Sequence, residues 1–348
     1  MLIEIFLVFY RGIWYNAHIG SVLRSYAMET QGKEPKANLM YNFIVNPNAG
    51  SGRGLKAWKA IARYLERHNI EYDVFFTRSS GDARTRAREL TEGAREPSCI
   101  VVVGGDGTVN ETVDGISFHS SVSVGYIPAG TGNDLSRSLR MPAGAVRCLK
   151  AQMGSRVTML DYGVVSFGAQ EVFHRRSLVS AGIGFDAAVC RAIADSNSGL
   201  RRILSCLRLG KLSYVFVGMR QFFQCRPSKG YIILDGVRKV EFNHILFVSC
   251  HIHPSEGGGF FFAPKADGPD GQMNVCVFSH RMRFRLIPVL ISAALGRHRK
   301  GKGLRNYTCR EAKIHTEVPL PVHVDGEFCG AQTDIQAECI QQKIRMMF

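Results

Sequence analysis

From about residue 41 onward, apolar positions follow a strand-then-helix rhythm. A short apolar run at 42–46 is followed by Leu55, Trp58, Ile61, Ala62 and Leu65, spaced as one face of a helix. Residues 72–77 read as the next strand, and Gly81-Asp82 open a helix carrying Ala83, Ala87 and Leu90. The run 99–103, rich in β-branched residues, suits a strand buried on both faces. Val109, Val113 and Ile116 mark another helix, 122–128 a fourth strand and 132–139 a short helix. This alternation predicts a parallel α/β sheet, whose ligands bind beyond the carboxyl ends of its strands.

After about residue 155 strand-like runs dominate: 157–167, 171–183, 229–235, 237–250, 258–263, 272–279, 308–315 and 320–325. Helical runs interrupt them at 186–195, about 200–223 and 283–296. A second, mostly antiparallel domain follows from this pattern. No internal repeat or low-complexity linker appears, and no stretch of 18 uninterrupted apolar residues predicts a membrane span. Residues 2–15 are apolar and aromatic but too short to cross a bilayer. They read either as an interfacial anchor or as a dispensable extension with translation starting at Met28 or Met40. The onset of the regular pattern at Tyr41 favours the second.

Three glycine-containing turns each fall between an apolar strand and a helix: Asn46-Pro-Asn-Ala-Gly50, Gly104-Gly-Asp-Gly-Thr108 and Pro128-Ala-Gly-Thr-Gly-Asn-Asp134. Glycine lets backbone N–H groups close around phosphate oxygens, and a helix start favours an anion. Three such turns within 90 residues predict a nucleotide triphosphate site. Arg53, just past the first turn, is placed to reach a phosphate. Neither a Walker A motif nor Gly-x-Gly-x-x-Gly is present. Asp106, the lone acid of the second turn, is a candidate for holding Mg²⁺, orienting a phosphate-bound water or accepting a proton. It also fits a helix cap. Asn133 and Asp134 complete the third turn, Asp134 being a second candidate Mg²⁺ ligand or active-site acid.

With these turns go Gly182-Ile-Gly-Phe-Asp186, Ala263-Pro-Lys-Ala-Asp267 running into Asp270-Gly271, and Asp325-Gly-Glu327. In this combination, over about residues 40–340, the chain resembles the diacylglycerol kinase catalytic domain family, which includes bacterial lipid kinases and sphingosine and ceramide kinases. The resemblance implies an N-terminal α/β domain like those of NAD kinase and phosphofructokinase, a C-terminal β-sandwich, and both substrates in the cleft between. The expected division is an extension at 1–39, a nucleotide-binding domain at 40–155 and a β-rich lipid-substrate domain at 156–348. ATP is the implied co-substrate. Its binding positions are Asn46, Pro47, Asn48, Ala49 and Gly50 in the first turn, Thr77, then Gly105, Asp106, Gly107, Thr108, Val109, Asn110 and Glu111, and Thr131. Glu327 is the implied general base, since a lipid hydroxyl needs somewhere for its proton to go. Asp325 is expected to orient it, and Asp106 competes for the same role. A structural Mg²⁺ is implied at Asp267, Asp270 and the Gln272 carbonyl, hard oxygens that suit this ion. Gly-Pro separates the two acids here, where the family often has an apolar or acidic residue, and a surface turn with capping acids is the other reading.

The net charge of +15 adds a partner: it favours nucleic acid, nucleotides or an anionic membrane surface. No helix-turn-helix, zinc-finger or RNA-binding signature is present, so the membrane comes first and nucleic acid is excluded. Residues 200–211 interleave apolar and basic side chains, and 297–305 carry six basic residues in nine. Both are expected to face headgroups or, alternatively, plain solvent. Phe222-Phe223 and Phe260-Phe-Phe262 belong to an acyl groove or to the core. Ten scattered cysteines without a Cys-x-x-Cys pair read as reduced cytosolic thiols, and His251-x-His253 reads as a loop feature rather than a metal site. The expected function is an ATP-dependent lipid kinase, with diacylglycerol first and a sphingoid or phosphatidylglycerol lipid as the alternative acceptor, peripheral at the inner face of the membrane. The resemblance also admits a homodimer. NAD kinase shares Gly-Gly-Asp-Gly-Thr and is the nearest rival; a non-catalytic nucleotide sensor is the other.

Overall fold

The computed structural model describes residues 40–92, 98–168, 171–195, 210–295 and 303–348. The expectations placed on the extension, on 200–209 and on 297–302 lie outside the described residues.

Four parallel strands open the fold in the order β2-β1-β3-β4: β1 Met40–Val45, β2 Tyr72–Phe76, β3 Ser98–Gly104 and β4 Ser123–Pro128. Their alternation sorts side chains to two helical layers. Tyr41, Phe43, Val45, Val101 and Val103 meet Trp58, Ile61 and Leu65 of α1 (Ala49–Arg67). Ile44, Ile100, Val102 and Val124 meet Ala83 and Ala87 of α2 (Asp82–Thr91) and Val109 and Val113 of α3 (Asp106–Gly115). A short helix α4 (Asp134–Ser138) follows β4. Next comes α5 (Ala145–Gly154), whose Cys148 and Leu149 join the α1 layer. Each strand thus ends in one of the three glycine turns or, for β2, in Thr77.

Beyond α5 the chain is β-rich and antiparallel. β5 (Thr158–Phe167), β6 (Phe173–Ser177), β7 (Ser180–Gly184), β8 (Ser228–Leu234), β9 (Arg238–His251), β12 (Met273–Ser279), β13 (Leu304–Cys309), β14 (Glu311–Val324) and β15 (Glu327–Met347) enclose a second core. The two-residue strands β10 (Ser255–Glu256) and β11 (Phe260–Phe261) form a hairpin of their own. Helices α6 (Phe185–Asp195), α7 (Gly210–Gln224) and α8 (Ile287–Ala294) interrupt the strands, with a 3₁₀ turn at Arg283–Leu286 before α8. Among the described residues no helix is long and apolar enough to cross a membrane.

Several features depart from the sequence pattern: the run 308–315 breaks at Arg310, β14 continues unbroken to Val324, and 258–263 holds only the two-residue β11. The run 171–183 is not one strand: it breaks between β6 and β7 at Leu178 and Val179. And the longest strand, β15, lies where no strand was expected. Its inward positions Ile335, Ala337 and Cys339 do alternate, but two of the three are small and the outward ones are Gln and Glu, so its periodicity is weak. β15 pairs with β14 and β5 for most of its length, then runs parallel to β4 through Met346 and Met347. One sheet therefore spans the molecule. The chain's last residues pack in the N-terminal cores, with Ile344 and Met346 on one face and Met347 on the other.

Candidate active site

The three glycine turns converge because glycine lets their backbones touch. A Cβ on Gly130 would sit 2.5 Å from Gly105 Cα, and one on Gly105 would sit 3.1 Å from Gly130 Cα. Gly50, at φ 57°, faces the Ala129 carbonyl, which a Cβ would meet at 2.3 Å. Arg53 is committed to this junction. Its Nε donates to Gly50 O (3.0 Å) and its Nη2 to Gly130 O (2.6 Å), so it ties the first turn to the third rather than reaching for a phosphate. Asn46 Nδ2 donates to Thr108 Oγ1 (3.2 Å), joining the first turn to the second.

Asp106 caps a helix that is not its own. Its carboxylate accepts the Asp134 N–H (2.9 Å) and the Leu135 N–H (3.3 Å) at the start of α4, and the Tyr126 hydroxyl lies 3.4 Å away. Burial, reinforced by the nearby Asp134 carboxylate, pushes its pKa up to about 6. Asp134 in turn accepts from Arg137 Nη1 (2.5 Å) and from the Gly258 N–H (2.7 Å), linking the third turn to the β10–β11 hairpin. Glu111 accepts from Ser80 Oγ and the Gly81 N–H, both at 3.0 Å, and holds the start of α2 beside the second turn.

These turns floor a cleft of about 440 Å³. Asn46, Asn48, Ala49, Gly50, Thr77, Gly105, Gly107, Thr108 and Glu111 line it, and Glu327 lines it from the C-terminal half. Arg78, Ser79, Ser80 and Gly130 complete the lining. The remaining expected positions fall differently. Val109 is buried in the α/β core and Thr131 is exposed. Pro47 accepts the Leu55 N–H through its carbonyl. Asn110 reaches across to the second half of the molecule, donating to Asp325 and to Arg176 O.

Asp325 does not touch Glu327 through any hydrogen bond. At φ 46°, it gathers the Leu178, Val179 and Ser180 N–H groups and Ser177 Oγ at 2.7–2.9 Å, so its work is to pin the β14–β15 turn onto the β6–β7 break. The side chain that holds Glu327 is Arg175 on β6, whose Nη2 donates to Glu327 Oε2 at 2.5 Å. Burial works against the Arg175 charge, yet the Glu327 carboxylate holds its pKa above the usual range. The signal in the sequence was Arg175-Arg176 inside a strand-like run, an odd place for charge unless paired.

Asp267 and Asp270 sit together in an exposed turn, with Asp270 N–H on Asp267 O (3.2 Å) and Gln272 N–H on Asp270 Oδ1 (2.8 Å). Asp161, unexpected from the sequence, braces the turn by accepting the Gly271 N–H at 2.5 Å. Burial, then the nearby Asp267 and Asp161 charges, raise the Asp270 pKa; this crowding of carboxylates fits a cation. A second group, Asp186, Glu256 and His323, brings ligating atoms within 4.8 Å of one another. The Gly326 N–H points at His323 Nδ1 (3.2 Å), and Nε2 faces Asp186 Oδ2 at 3.2 Å. That is a hydrogen-bonded buried pair rather than an open ligand set. His251 and His253 are buried, and burial lowers their pKa values to about 3 and about 4. Cys99, Cys148, Cys190, Cys250, Cys276, Cys309, Cys329 and Cys339 stand outside any disulfide.

Glycine turns thus face a carboxylate across a cleft, on an α/β half joined to an antiparallel β-rich half. A family model described as the diacylglycerol kinase catalytic domain matches residues 40–165. Another, described as the YegS C-terminal NAD kinase beta sandwich-like domain, matches 178–348. Residues 40–165 of the chain belong to the diacylglycerol kinase catalytic domain family. It is 28% identical over 290 residues to a putative lipid kinase, YtlR, of Bacillus subtilis, spanning 83% of this chain and 93% of that one. It is 25% identical over 289 residues to a diacylglycerol kinase of the same organism, spanning 82% and 89%. A solved structure of a putative diacylglycerol kinase from Bacillus anthracis shares the fold, with TM-score 0.70 at 21% identity over 90% of this chain and 98% of that one.

Proposed function

We propose that the protein is an ATP-dependent lipid kinase that phosphorylates a membrane-lipid hydroxyl at the inner face of the membrane, diacylglycerol first, giving phosphatidic acid. The observation that carries this reading is the cleft in which Glu327 faces the converged glycine turns. In it the backbone N–H groups of the first two turns receive the donor phosphates, while Asn46, Thr77 and Thr108 line the nucleotide's path. The acceptor oxygen bonds to the γ-phosphorus as the bond from that phosphorus to the β-phosphate oxygen breaks, and ADP leaves. The acceptor's proton passes to a Glu327 carboxylate oxygen, with Arg175 holding that side chain in place. Asp267 and Asp270, with the Gln272 carbonyl, would hold a Mg²⁺ ion, whose positive charge would offset their crowded carboxylates; Asp106 and Asp134 are the acids near the donor phosphates.

The test is Glu327→Gln, which keeps shape and removes basicity. Its kcat should fall roughly 10²–10⁴-fold while calorimetric ATP affinity stays near normal. Phosphotransfer from labelled ATP is to be compared across diacylglycerol, sphingosine, phosphatidylglycerol and NAD. Normal turnover by the Glu327 variant moves the base elsewhere, with Asp106 the first alternative. A preference for NAD sinks the lipid reading.

A further inference from the structure

The positive charge of the chain is concentrated. Between Asp195 and Asp235 stand seven Lys and Arg and no acid, and between Asp270 and Glu311 stand nine and no acid. The other 28 basic residues of the 44 are matched by 29 acids. The entire surplus of +15 therefore arises in two stretches of sequence.

The described parts of those stretches pack on one buried cluster. α7 belongs to the first, and the Arg283–Leu286 turn and α8 to the second. Phe222 from α7 shares one buried cluster with Leu286, Val289 and Ala293. The same elements expose large apolar side chains among cations. Met219 (40% exposed) and Phe223 (67%) stand with exposed Arg220 and Arg226, and Met282 (38%) and Phe284 (63%) with exposed Arg281 and Arg285. Single exposed apolar residues need no explanation, but four interleaved with Arg and without any acid do. Duplex nucleic-acid phosphates engage the arginines and leave exposed Phe and Met side chains in water. Anionic lipid engages both, headgroups with the cations and the acyl boundary with the apolar tips.

We propose that residues 219–226 and 281–285 form the face by which the protein docks on an anionic bilayer. This deepens the lipid-kinase reading and rests on it for the choice of partner. The buried cluster beneath this face includes Phe262 and abuts Phe260, which lead to the β10–β11 hairpin where the Gly258 N–H meets Asp134. The docked face thus connects through packed aromatics to the third glycine turn.

The experiment is co-sedimentation of the full chain with vesicles of phosphatidylglycerol and phosphatidylcholine, and of phosphatidylcholine alone, at about 0.1 and 0.5 M salt. Wild type should bind only the anionic vesicles, less so at high salt. Neutralising Arg220, Arg226, Arg281 and Arg285 to Gln should weaken binding about tenfold or more. The pair Phe223→Ser with Phe284→Ser should weaken it at both salt concentrations. Both variants should keep their thermal melts and their turnover of short-chain diacylglycerol in detergent. Unchanged vesicle binding in both variants overturns the proposal. So does a wild type that prefers duplex DNA of equal charge to the vesicles. A wild type that docks as described but transfers no phosphate to any lipid sinks the substrate reading alone.

Discussion

Asp106 shows how one side chain can serve two roles that pull in opposite directions. Its hydrogen bonds to α4 stabilise the third turn, yet burial beside Asp134 makes its charge unfavourable. A pKa raised from 3.8 to about 6 means the folded state binds the proton more tightly than the unfolded one. This residue's contribution to stability is therefore greatest below about pH 4 and falls as pH rises through 6, by roughly 2–3 kcal/mol in all. Asp106→Asn removes that penalty and loses one cap bond, about 1 kcal/mol. At pH 7 it should melt close to wild type while losing nearly all phosphotransfer. At pH 5, where the wild-type acid is largely protonated, the variant should be less stable relative to wild type than at pH 7. Thermal melts at the two pH values check this, and a larger deficit at pH 7 than at pH 5 would contradict the sign. The neighbouring glycines divide cleanly. Gly107 has open space where a Cβ would go, whereas Gly130 has Gly105 Cα at 2.5 Å. Gly107→Ala should leave the melt unchanged and weaken ATP binding, because the residue lines the cleft. Gly130→Ala should destabilise by about 1–3 kcal/mol, as forced backbone shifts do. Calorimetry with and without nucleotide separates the two outcomes.

Among the elements, the β14–β15 turn unites the halves of the site, and Asp325 is its anchor. Asp325→Ala strands the Leu178, Val179 and Ser180 N–H groups together with Ser177 Oγ and Asn110. With several part-buried donors unpaired at roughly 1–3 kcal/mol each, a loss on the order of 4 kcal/mol is expected in urea unfolding. Glu327→Ala, two residues on and half-exposed, should cost little. Equal losses in the two would refute the anchoring role. This division of labour was hidden in the sequence, where Asp325 and Glu327 read as one catalytic motif. Strands β1–β4 and their turns were legible because apolar runs, helical spacing and glycine all pointed one way. Nine of the positions expected to hold ATP do line one cleft. Arg175 and Asp161 were not legible: each matters through a partner more than a hundred residues away, and nothing local marks such a pairing. β15 escaped for a different reason, since Ala337 and Cys339 are too small to make its buried face stand out.

At the scale of the molecule, the parallel pairing of β15 with β4 makes the two halves one cooperative body. Deleting residues 343–348 removes Ile344, Met346 and Met347 from both N-terminal cores, a loss on the order of 5 kcal/mol or more. Calorimetry should show a single transition in the full chain and a much lower one, with fast amide exchange in β4, after the deletion. An unaltered transition would mean the closure contributes nothing. The closure also sets a timetable for biosynthesis. Pro128 leaves the ribosome 218 residues ahead of Met346. At roughly 5–20 residues per second, the nascent α/β layer waits about 10–45 seconds with the β4 edge uncovered. An unpaired apolar edge held open that long is a ready template for wrong partners. Chaperone demand during translation, rather than stability once finished, is where this architecture is most exposed.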